Sequence, residues 1–184
     1  MMNYKIKAKK YFQNYQEIIK LSDNCFEQID DICKILKKVK NFKKNIFIFG
    51  NGGSASIASH VSVDFIKIAK LKCINFNEAN LITCFSNDYG YENWMKKSLE
   101  VHGKRDDLII IVSSSGESQN VINLAKQAKK MKFNKIITLT GFSETNRLKG
   151  LGDINIWINS KQYNFVENTH QLILLSIADL LSKK

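Results

Sequence analysis

Short, dense runs of apolar residues alternate along this chain with longer segments in which apolar residues recur every three or four positions. The four strongest runs are NIFIFG (45–50), DLIIIVS (107–113), KIITLTG (135–141) and INIWI (154–158), and a weaker fifth is CINF (73–76). Runs of this kind are typical of strands buried on both faces of a parallel sheet. The intervening periodicity predicts helices over 54–68, 78–86, 91–101, 119–131 and about 165–182. The alternation predicts an α/β fold, a doubly wound parallel sheet of five strands.

Two further helices are predicted before the first strand. The segments YKIKAKKYFQNYQEIIKL and CFEQIDDICKILKKV both have helical spacing, and SDN at 22–24 supplies turn and N-cap residues. We expect one domain, in which residues 1–42 form this helical pair and residues 43–184 form the sheet core with the last helix. Such a pair cannot cover the sheet and form a core of its own, so we expect it to pack against another subunit.

Composition restricts the classes of partner. The 184 residues carry a formal charge of +11, but the lysines are scattered and only two arginines are present, so we do not expect a nucleic-acid partner. No apolar run approaches the roughly 18 residues of a membrane span, and the N-terminus lacks the apolar core of a signal peptide. We therefore expect a cytoplasmic protein with no membrane partner. The four cysteines form no CxxC pair, which predicts buried structural thiols.

Two of the predicted strands end in loops of similar chemistry. GNGGSAS follows the first long strand, SSSGESQN follows the second, and each loop opens a helix. Glycine lets backbone N–H groups approach a ligand, and a helix N-terminus offers unpaired donors and a positive dipole end. Serine and glycine are also ordinary turn and N-cap residues, so either loop alone has a purely structural explanation. Two such loops at neighbouring strand ends favour a phosphorylated ligand, and neither has the form of a nucleotide-binding motif.

The motifs GNGGSASIASH, SNDYGYE and SSSGESQNVINLAKQAK, in that order, resemble the sugar isomerase (SIS) domain family, and most closely its phosphoheptose isomerase branch. The resemblance covers nearly the whole chain. It implies the flavodoxin-like SIS fold and a homotetramer, in which the N-terminal helices form a central bundle and the active sites lie between subunits. It implies phosphate binding by Ser54, Ser113, Ser114, Ser115 and Ser118. It implies sugar binding by Asn51, Gly52, Gly53, Asn87 and Asp88.

The resemblance also implies the acid/base groups. In the family, a histidine and a glutamate one turn apart follow the glycine loop, a glutamine and a second histidine lie on the last helix, and the four can bind zinc. The glutamate and the second histidine are the acid/base groups. His60 and Asp64 match the first pair, and their spacing places both on one helix face. Asp64 is one methylene shorter than the family's glutamate.

The last helix departs further from the family. Alignment of FVENTHQLILLSIADLL places Glu167 at the glutamine and Leu175 at the second histidine. Leucine neither binds a metal nor transfers a proton. His170 is present, but the family often has a histidine there in addition to the catalytic one. We expect catalysis to rest on Asp64, with Glu167 or His170 as the second group. Zinc held by His60, Asp64 and Glu167 is expected to be weak or absent.

The leading hypothesis is therefore a phosphosugar isomerase that converts sedoheptulose 7-phosphate to a heptose 7-phosphate for lipopolysaccharide or capsule synthesis. The alternative is a SIS module that binds a phosphosugar or a protein partner without turnover. A replication-initiator-associating branch of the family is of that type and also lacks the second histidine. A different phosphosugar isomerase or epimerase is the third reading.

Overall fold

The computed structural model describes residues 3–182 and contains one five-stranded sheet. Its strands are β1 (Ile46–Gly50), β2 (Cys73–Ile74), β3 (Leu108–Ser113), β4 (Lys135–Thr140) and β5 (Ile154–Trp157). Their spatial order is β2-β1-β3-β4-β5, and every neighbouring pair is parallel. All five predicted strands and the doubly wound α/β class are confirmed.

The strands are connected and flanked by helices. In the described part of the chain these are α1 (Tyr4–Ile18), α2 (Asp23–Asn41), α3 (Gly53–Lys67), α4 (Ala79–Tyr89), α5 (Trp94–His102), α6 (Gln119–Lys130) and α7 (Tyr163–Leu180). A short 3₁₀ turn, Lys149–Leu151, precedes β5. None of these helices is both long and apolar enough to cross a bilayer.

The strand sequences are almost entirely apolar because helices cover both faces of the sheet. Every residue of β1 and of β3 is buried. Alternate side chains point to opposite faces, so Ile48 and Ile110 pack into the layer of α2, α3 and α7. Phe49 and Ile111 pack into the layer of α5 and α6.

The two N-terminal helices have different roles. Helix α2 buries five side chains against the sheet core and packs against α7 and β5; they are Cys25, Ile29, Ile32, Leu36 and Val39. The expectation that the apolar stripes of both leading helices pack against another subunit is therefore wrong for α2, whose apolar stripe faces its own domain.

Helix α1, in contrast, has no buried residue. It contacts α7 through Tyr11, whose ring centroid lies 4.7 Å from that of Phe165. Its Tyr4, Ile6 and Phe12 are more than half exposed. Helix α1 therefore presents exposed apolar side chains that its own domain does not cover.

The cysteines follow the prediction in part. Cys25 and Cys73 are buried, Cys33 is half-buried and Cys84 is exposed. Desolvation raises the pKa of Cys73 to about 12, as expected for an inert thiol. The prediction of buried thiols is wrong for Cys84, which lies on the solvent side of α4.

The strand order determines where a ligand can bind. From β1 the chain goes to the edge strand β2, and it then returns to β3 on the other side of β1. The loops after β1 and β3 therefore diverge and leave a crevice at the carboxyl ends of the strands, which is the usual ligand site in such sheets.

Candidate active site

The crevice is an open cleft of about 250 Å³ formed by the two predicted loops and the start of α7. It is lined by Asn51, Gly52, Gly53, Ser54, Ser113, Ser114, Ser115, Ser118, Tyr163 and Glu167. The structure thus brings together all five serines and three of the five residues that the resemblance implies for sugar binding. Sequence reasoning missed Tyr163, because a tyrosine at the start of a helix carries no distinctive signal.

The loop after β1 depends on two glycines. Gly52 has a φ of +52°, a left-handed conformation that favours glycine. Gly53 begins α3, and a Cβ atom there would collide with the carboxylate of Glu167. The absence of a side chain at Gly53 therefore lets Glu167 of α7 lie directly against the N-terminus of α3.

The loop after β3 is held in shape by its own serines. Ser113 Oγ accepts a hydrogen bond from Gly116 N, and Ser115 Oγ accepts one from Glu117 N, each at 3.3 Å. Ser114 Oγ donates to Glu167 Oε1 at 3.4 Å, which links this loop to the last helix. The loop therefore presents its backbone and hydroxyl groups in a defined arrangement.

The electrostatics of the cleft suit an anion at one end. No lysine or arginine in the described part of the chain lines it. Its positive character comes from the N-termini of α3 and α6, whose first-turn N–H groups lack intrahelical acceptors. Ser118 is the N-cap residue of α6, and its hydroxyl makes no capping bond. That hydroxyl is available to a ligand, whereas Glu167 is the only charged group among the described residues that line the cleft.

A pair of asparagine amides joins the two loops. Asn51 Nδ2 donates to Asn120 Oδ1, and Asn120 Nδ2 donates to Asn51 Oδ1, both at 2.9 Å. Asn120 is buried, and its Oδ1 also accepts the N–H of Val121. Sequence reasoning missed Asn120, although it ends the SSSGESQN loop and enters a helix on its buried face.

The SNDYGYE segment contacts a residue of the cleft through Tyr91, and not through Asn87 or Asp88 as expected. Tyr91 donates its hydroxyl proton to Asn51 Oδ1 at 3.1 Å. Asn87 and Asp88 lie in the last turn of α4, are exposed, and do not line the cleft. Asn87 Nδ2 donates to Asp88 Oδ1 at 3.0 Å. Within one chain, these two residues therefore lie outside the cleft, and their contact with a sugar stays a prediction.

His60 and Asp64 lie on one face of α3, as their spacing predicted, with His60 Nε2 3.6 Å from Asp64 Oδ2. Gln171 of α7 was not anticipated, and its Nε2 lies 3.2 Å from His60 Nδ1. Neither His60 nor Asp64 lines the cleft. Glu167 contacts Gly53, and His60 is seven residues further along α3, which is about 10 Å along a helix axis.

This geometry does not fit a zinc ion held by one chain. Within residues 3–182, no group of three or more histidine, cysteine, aspartate or glutamate side chains could hold a metal. His60 and Asp64 are close together, but Glu167 is two turns away, and the fourth family position is Leu175. Leu175 packs against the core and lines an apolar groove with residues of α1 such as Tyr11 and Phe12.

His170 does not reach the cleft. It is fully buried, and its Nε2–H donates to the carbonyl of Thr140 at 3.1 Å, while Nδ1 has no partner. Desolvation by burial lowers the pKa of His170 to about 4. The proposed acid/base role of His170 is therefore not supported by its position, since a substrate in the cleft cannot contact it.

Comparisons with known proteins agree with the motifs. The SIS domain profile matches residues 10–141. A phosphoheptose isomerase of Fusobacterium nucleatum is 34% identical over 77% of this chain and 76% of its own length. One of Sulfurimonas denitrificans is 28% identical over 98% of this chain and 94% of its own length. A phosphoheptose isomerase structure from Francisella tularensis has a TM-score of 0.90 at 23% identity and covers 98% of both chains.

These matches show that the protein has the SIS domain fold, and its cleft lies at the two serine-containing loops. The chain belongs to the SIS domain family, in its phosphoheptose isomerase branch.

The buried His170 predicts how stability depends on pH. Its folded pKa of about 4 lies below the ordinary 6.5, so between these values the unfolded chain binds a proton that the folded chain does not. The unfolding free energy is therefore expected to fall as the pH drops from 6.5, by about 2 kcal/mol at pH 5. Urea unfolding at pH 7 and pH 5 measures this loss.

The matched variant is His170→Gln, which keeps a donor for Thr140 but does not titrate. Its loss between pH 7 and pH 5 should be smaller by about that amount, whatever its absolute stability. Equal losses in the two proteins would show that His170 does not titrate in this range.

The amide pair predicts energetic coupling between the two loops. Asn51→Ala, Asn120→Ala and the double variant should form a cycle with a coupling free energy of about 1 kcal/mol in urea unfolding, because each single change leaves the other amide unpaired. Asn134→Ala on the far edge of the sheet, combined with Asn51→Ala, is the control and should be additive. Additive effects in the Asn51–Asn120 cycle would contradict the pairing.

Proposed function

We propose that this protein is a phosphosugar isomerase that interconverts sedoheptulose 7-phosphate and the corresponding aldose, a heptose 7-phosphate. The observation that carries the proposal is the serine-lined cleft between two helix N-termini, with one carboxylate inside it. Curated relatives named phosphoheptose isomerase match most of the chain. We further propose that the reaction takes place in the cytoplasm and supplies lipopolysaccharide or capsule synthesis.

The phosphate end of the substrate belongs at the N-terminus of α6. There Ser115 and Ser118 are half-exposed beside the first turn of the helix, and hydroxyl and backbone N–H donors suit a phosphate dianion. Glu167 lies on the other side of the cleft, next to Gly53. Repulsion between the carboxylate and the phosphate then orients the sugar so that its carbonyl end points towards Glu167.

The isomerisation transfers a proton between C1 and C2 through an enediol and therefore needs a base and an acid. Glu167 is positioned for one of these roles, because its Oε1 is held by Ser114 inside the cleft. Asp64 is the candidate for the other role, but it lies outside the cleft of its own chain. We therefore propose that Asp64 of one subunit and Glu167 of another serve the same site.

The developing oxyanion of the enediol also needs stabilisation. First-turn amides of α3 lie beside Glu167 and can donate hydrogen bonds there. Tyr163, which also lines the cleft, carries a further hydroxyl donor. No step of this mechanism passes through zinc, because residues 3–182 of one chain do not form a group that could hold the ion.

The exposed surface of α1 supports the proposed homotetramer. Phe12 lies beside the apolar groove that Leu172 and Leu175 of α7 help to line. Leu172 is about half exposed, as are Val63 and Ile66 on α3. Burial of these side chains between subunits would bring the Asp64 face of α3 into contact with a second chain, which the two-subunit site requires.

The enzymatic test is incubation with sedoheptulose 7-phosphate, with the aldose product followed by NMR. Asp64→Asn is expected to lower kcat by about 10²- to 10⁴-fold, the usual loss of one positioned acid/base group. Asp30→Asn, an exposed carboxylate on α2, is the control. Brisk turnover by Asp64→Asn would contradict the catalytic assignment.

The double variant Ser115→Ala/Ser118→Ala should act mainly on KM, because it removes hydrogen bonds to the phosphate that are made throughout the reaction. If the natural protein binds the phosphosugar but shows no turnover, the chain is a binding module and the proposal fails.

The quaternary test is sedimentation equilibrium of the natural protein and of Phe12→Glu. The natural protein is expected to be a tetramer, and Phe12→Glu to dissociate, because a charge would be buried in an apolar contact. Asn14→Glu is the control, since a spacing of two residues places it on the other side of the helix. A folded monomer of the natural protein at micromolar concentration would contradict the tetramer.

A further inference from the structure

The net positive charge of this chain is concentrated at the edge of the sheet where the five strands begin. The helix ends, loops and strand starts at the end of the sheet where the five strands begin are 37–44, 67–72, 104–107, 129–135 and residue 153. They contain 14 of the 28 basic residues and 3 of the 17 acidic residues, so they carry a net charge of +11. The remainder of the chain has 14 of each sign and is neutral. These five segments are called the basic edge below.

The fold makes the basic edge one continuous surface. Because all strands are parallel, their preceding segments meet at the edge opposite the cleft. Hydrogen bonds join neighbouring segments: Lys44 Nζ donates to the Arg105 carbonyl at 3.0 Å, and Asp106 N donates to the Lys132 carbonyl at 3.1 Å. Most of the basic side chains on this surface are exposed.

The three carboxylates of the basic edge do not cancel its charge. Asp107 is buried and accepts the N–H groups of Asn45 and Lys104, each at 2.9 Å. Asp153 accepts the N–H of Ile136 at 2.7 Å and lies 3.7 Å from Lys135 Nζ. Asp106 lies 3.9 Å from Lys44 Nζ and 3.8 Å from Arg105 Nε. Most of the lysines have no acidic partner among these three.

Helix termini explain only some of these lysines. Lys38, Lys67 and Lys129 lie in last helical turns, where a positive charge stabilises the helix dipole. Lys43, Lys70 and Lys132 lie beyond the helices, with φ values of 56°, 56° and 58°. Glycine is the usual residue in that left-handed conformation, so lysine occupies three positions where it is conformationally unfavourable.

An apolar component accompanies the charge. Phe42 is 73% exposed and is followed directly by Lys43 and Lys44. Nearby, a groove of about 420 Å³ has Lys37 and Lys40 at its rim and the apolar side chains Ala69, Leu71, Leu180 and Leu181 along its wall. Lysines beside exposed apolar groups match an amphiphilic anion better than a nucleic acid, whose phosphates need no apolar contact.

We propose that the basic edge docks on the anionic surface of a phospholipid membrane. Lysines near such a surface attract anionic headgroups, and Phe42 inserts between the headgroups, as aromatic side chains do in interfacial anchors. The sequence expectation of no membrane partner rested on the lack of a spanning segment, which docking does not require. Because the cleft opens at the opposite edge, a docked molecule keeps its cleft facing away from the membrane.

The test is sedimentation of the full-length protein with vesicles of equal parts phosphatidylglycerol and phosphatidylcholine, and with vesicles of phosphatidylcholine alone. Binding is expected only to the anionic vesicles, and it should weaken as salt shortens the Debye length from about 10 Å at 0.1 M to about 3 Å at 1 M. Absence of binding to anionic vesicles at low salt would overturn the proposal.

The decisive variant is Lys43→Gly/Lys70→Gly/Lys132→Gly. Glycine suits the three left-handed positions, so the variant should be folded, while its vesicle affinity should fall about a hundredfold, or roughly fivefold for each lysine. Lys20→Gln/Lys126→Gln/Lys161→Gln removes the same charge elsewhere and should bind almost normally. Equal weakening in the two variants would show that net charge alone acts and would overturn the docking site.

A last variant separates a membrane from another polyanion. Phe42→Ser should weaken binding to anionic vesicles and leave any binding to poly(U) RNA unchanged. Tighter binding of the natural protein to poly(U) than to vesicles, with no effect of Phe42→Ser on vesicle binding, would assign the surface to nucleic acid and overturn the proposal. This inference does not depend on the isomerase activity, which the triple glycine variant should retain.

Discussion

The parallel pairing of all five strands is the constraint on which the rest of this structure depends. It gives the sheet two chemically different edges, because every strand begins at one and ends at the other. Helices α3 and α6 start at the carboxyl edge, so their N-termini and the glycine and serine residues of their loops meet there. The same helices end at the amino edge, where lysines collect. Parallel pairing therefore places the candidate ligand cleft and the basic edge at opposite ends of the sheet.

The shape of the cleft is fixed because hydrogen bonds connect its loops to buried side chains. Asn120 is buried in the first turn of α6 and holds Asn51, so the geometry of one loop follows from the helix of the other. Glu167 is set in place in a similar way, by the lack of a side chain at Gly53 and by a hydrogen bond from Ser114. Preorganisation of this kind lowers the cost of arranging catalytic groups around a substrate.

Sequence reasoning predicted what depends on periodicity and local chemistry. The five strands, the helices between them and the clustering of Ser113, Ser115 and Ser118 beside the start of α6 follow from apolar patterning and from loop composition. It could not predict contacts that need the tertiary arrangement. A histidine three residues from Glu167 is compatible with a site, and only the packing of α7 shows that His170 faces Thr140 in the core. Likewise, the lysines are scattered along the sequence, and only the strand topology shows that half of the basic residues lie on one surface.

The replacement of a family histidine by Leu175 is best understood together with its neighbours. Gln171, one turn before Leu175, lies against His60, which also contacts Asp64, so this histidine already has two polar neighbours within its own chain. Leu175 extends an apolar groove shared with Tyr11 and Phe12 of α1. Leu175 therefore adds apolar surface between α7 and α1, a helix that has no buried residue. Leucine at this position contributes to packing around α1, and the proposed mechanism therefore assigns the acid/base roles to the carboxylates Asp64 and Glu167.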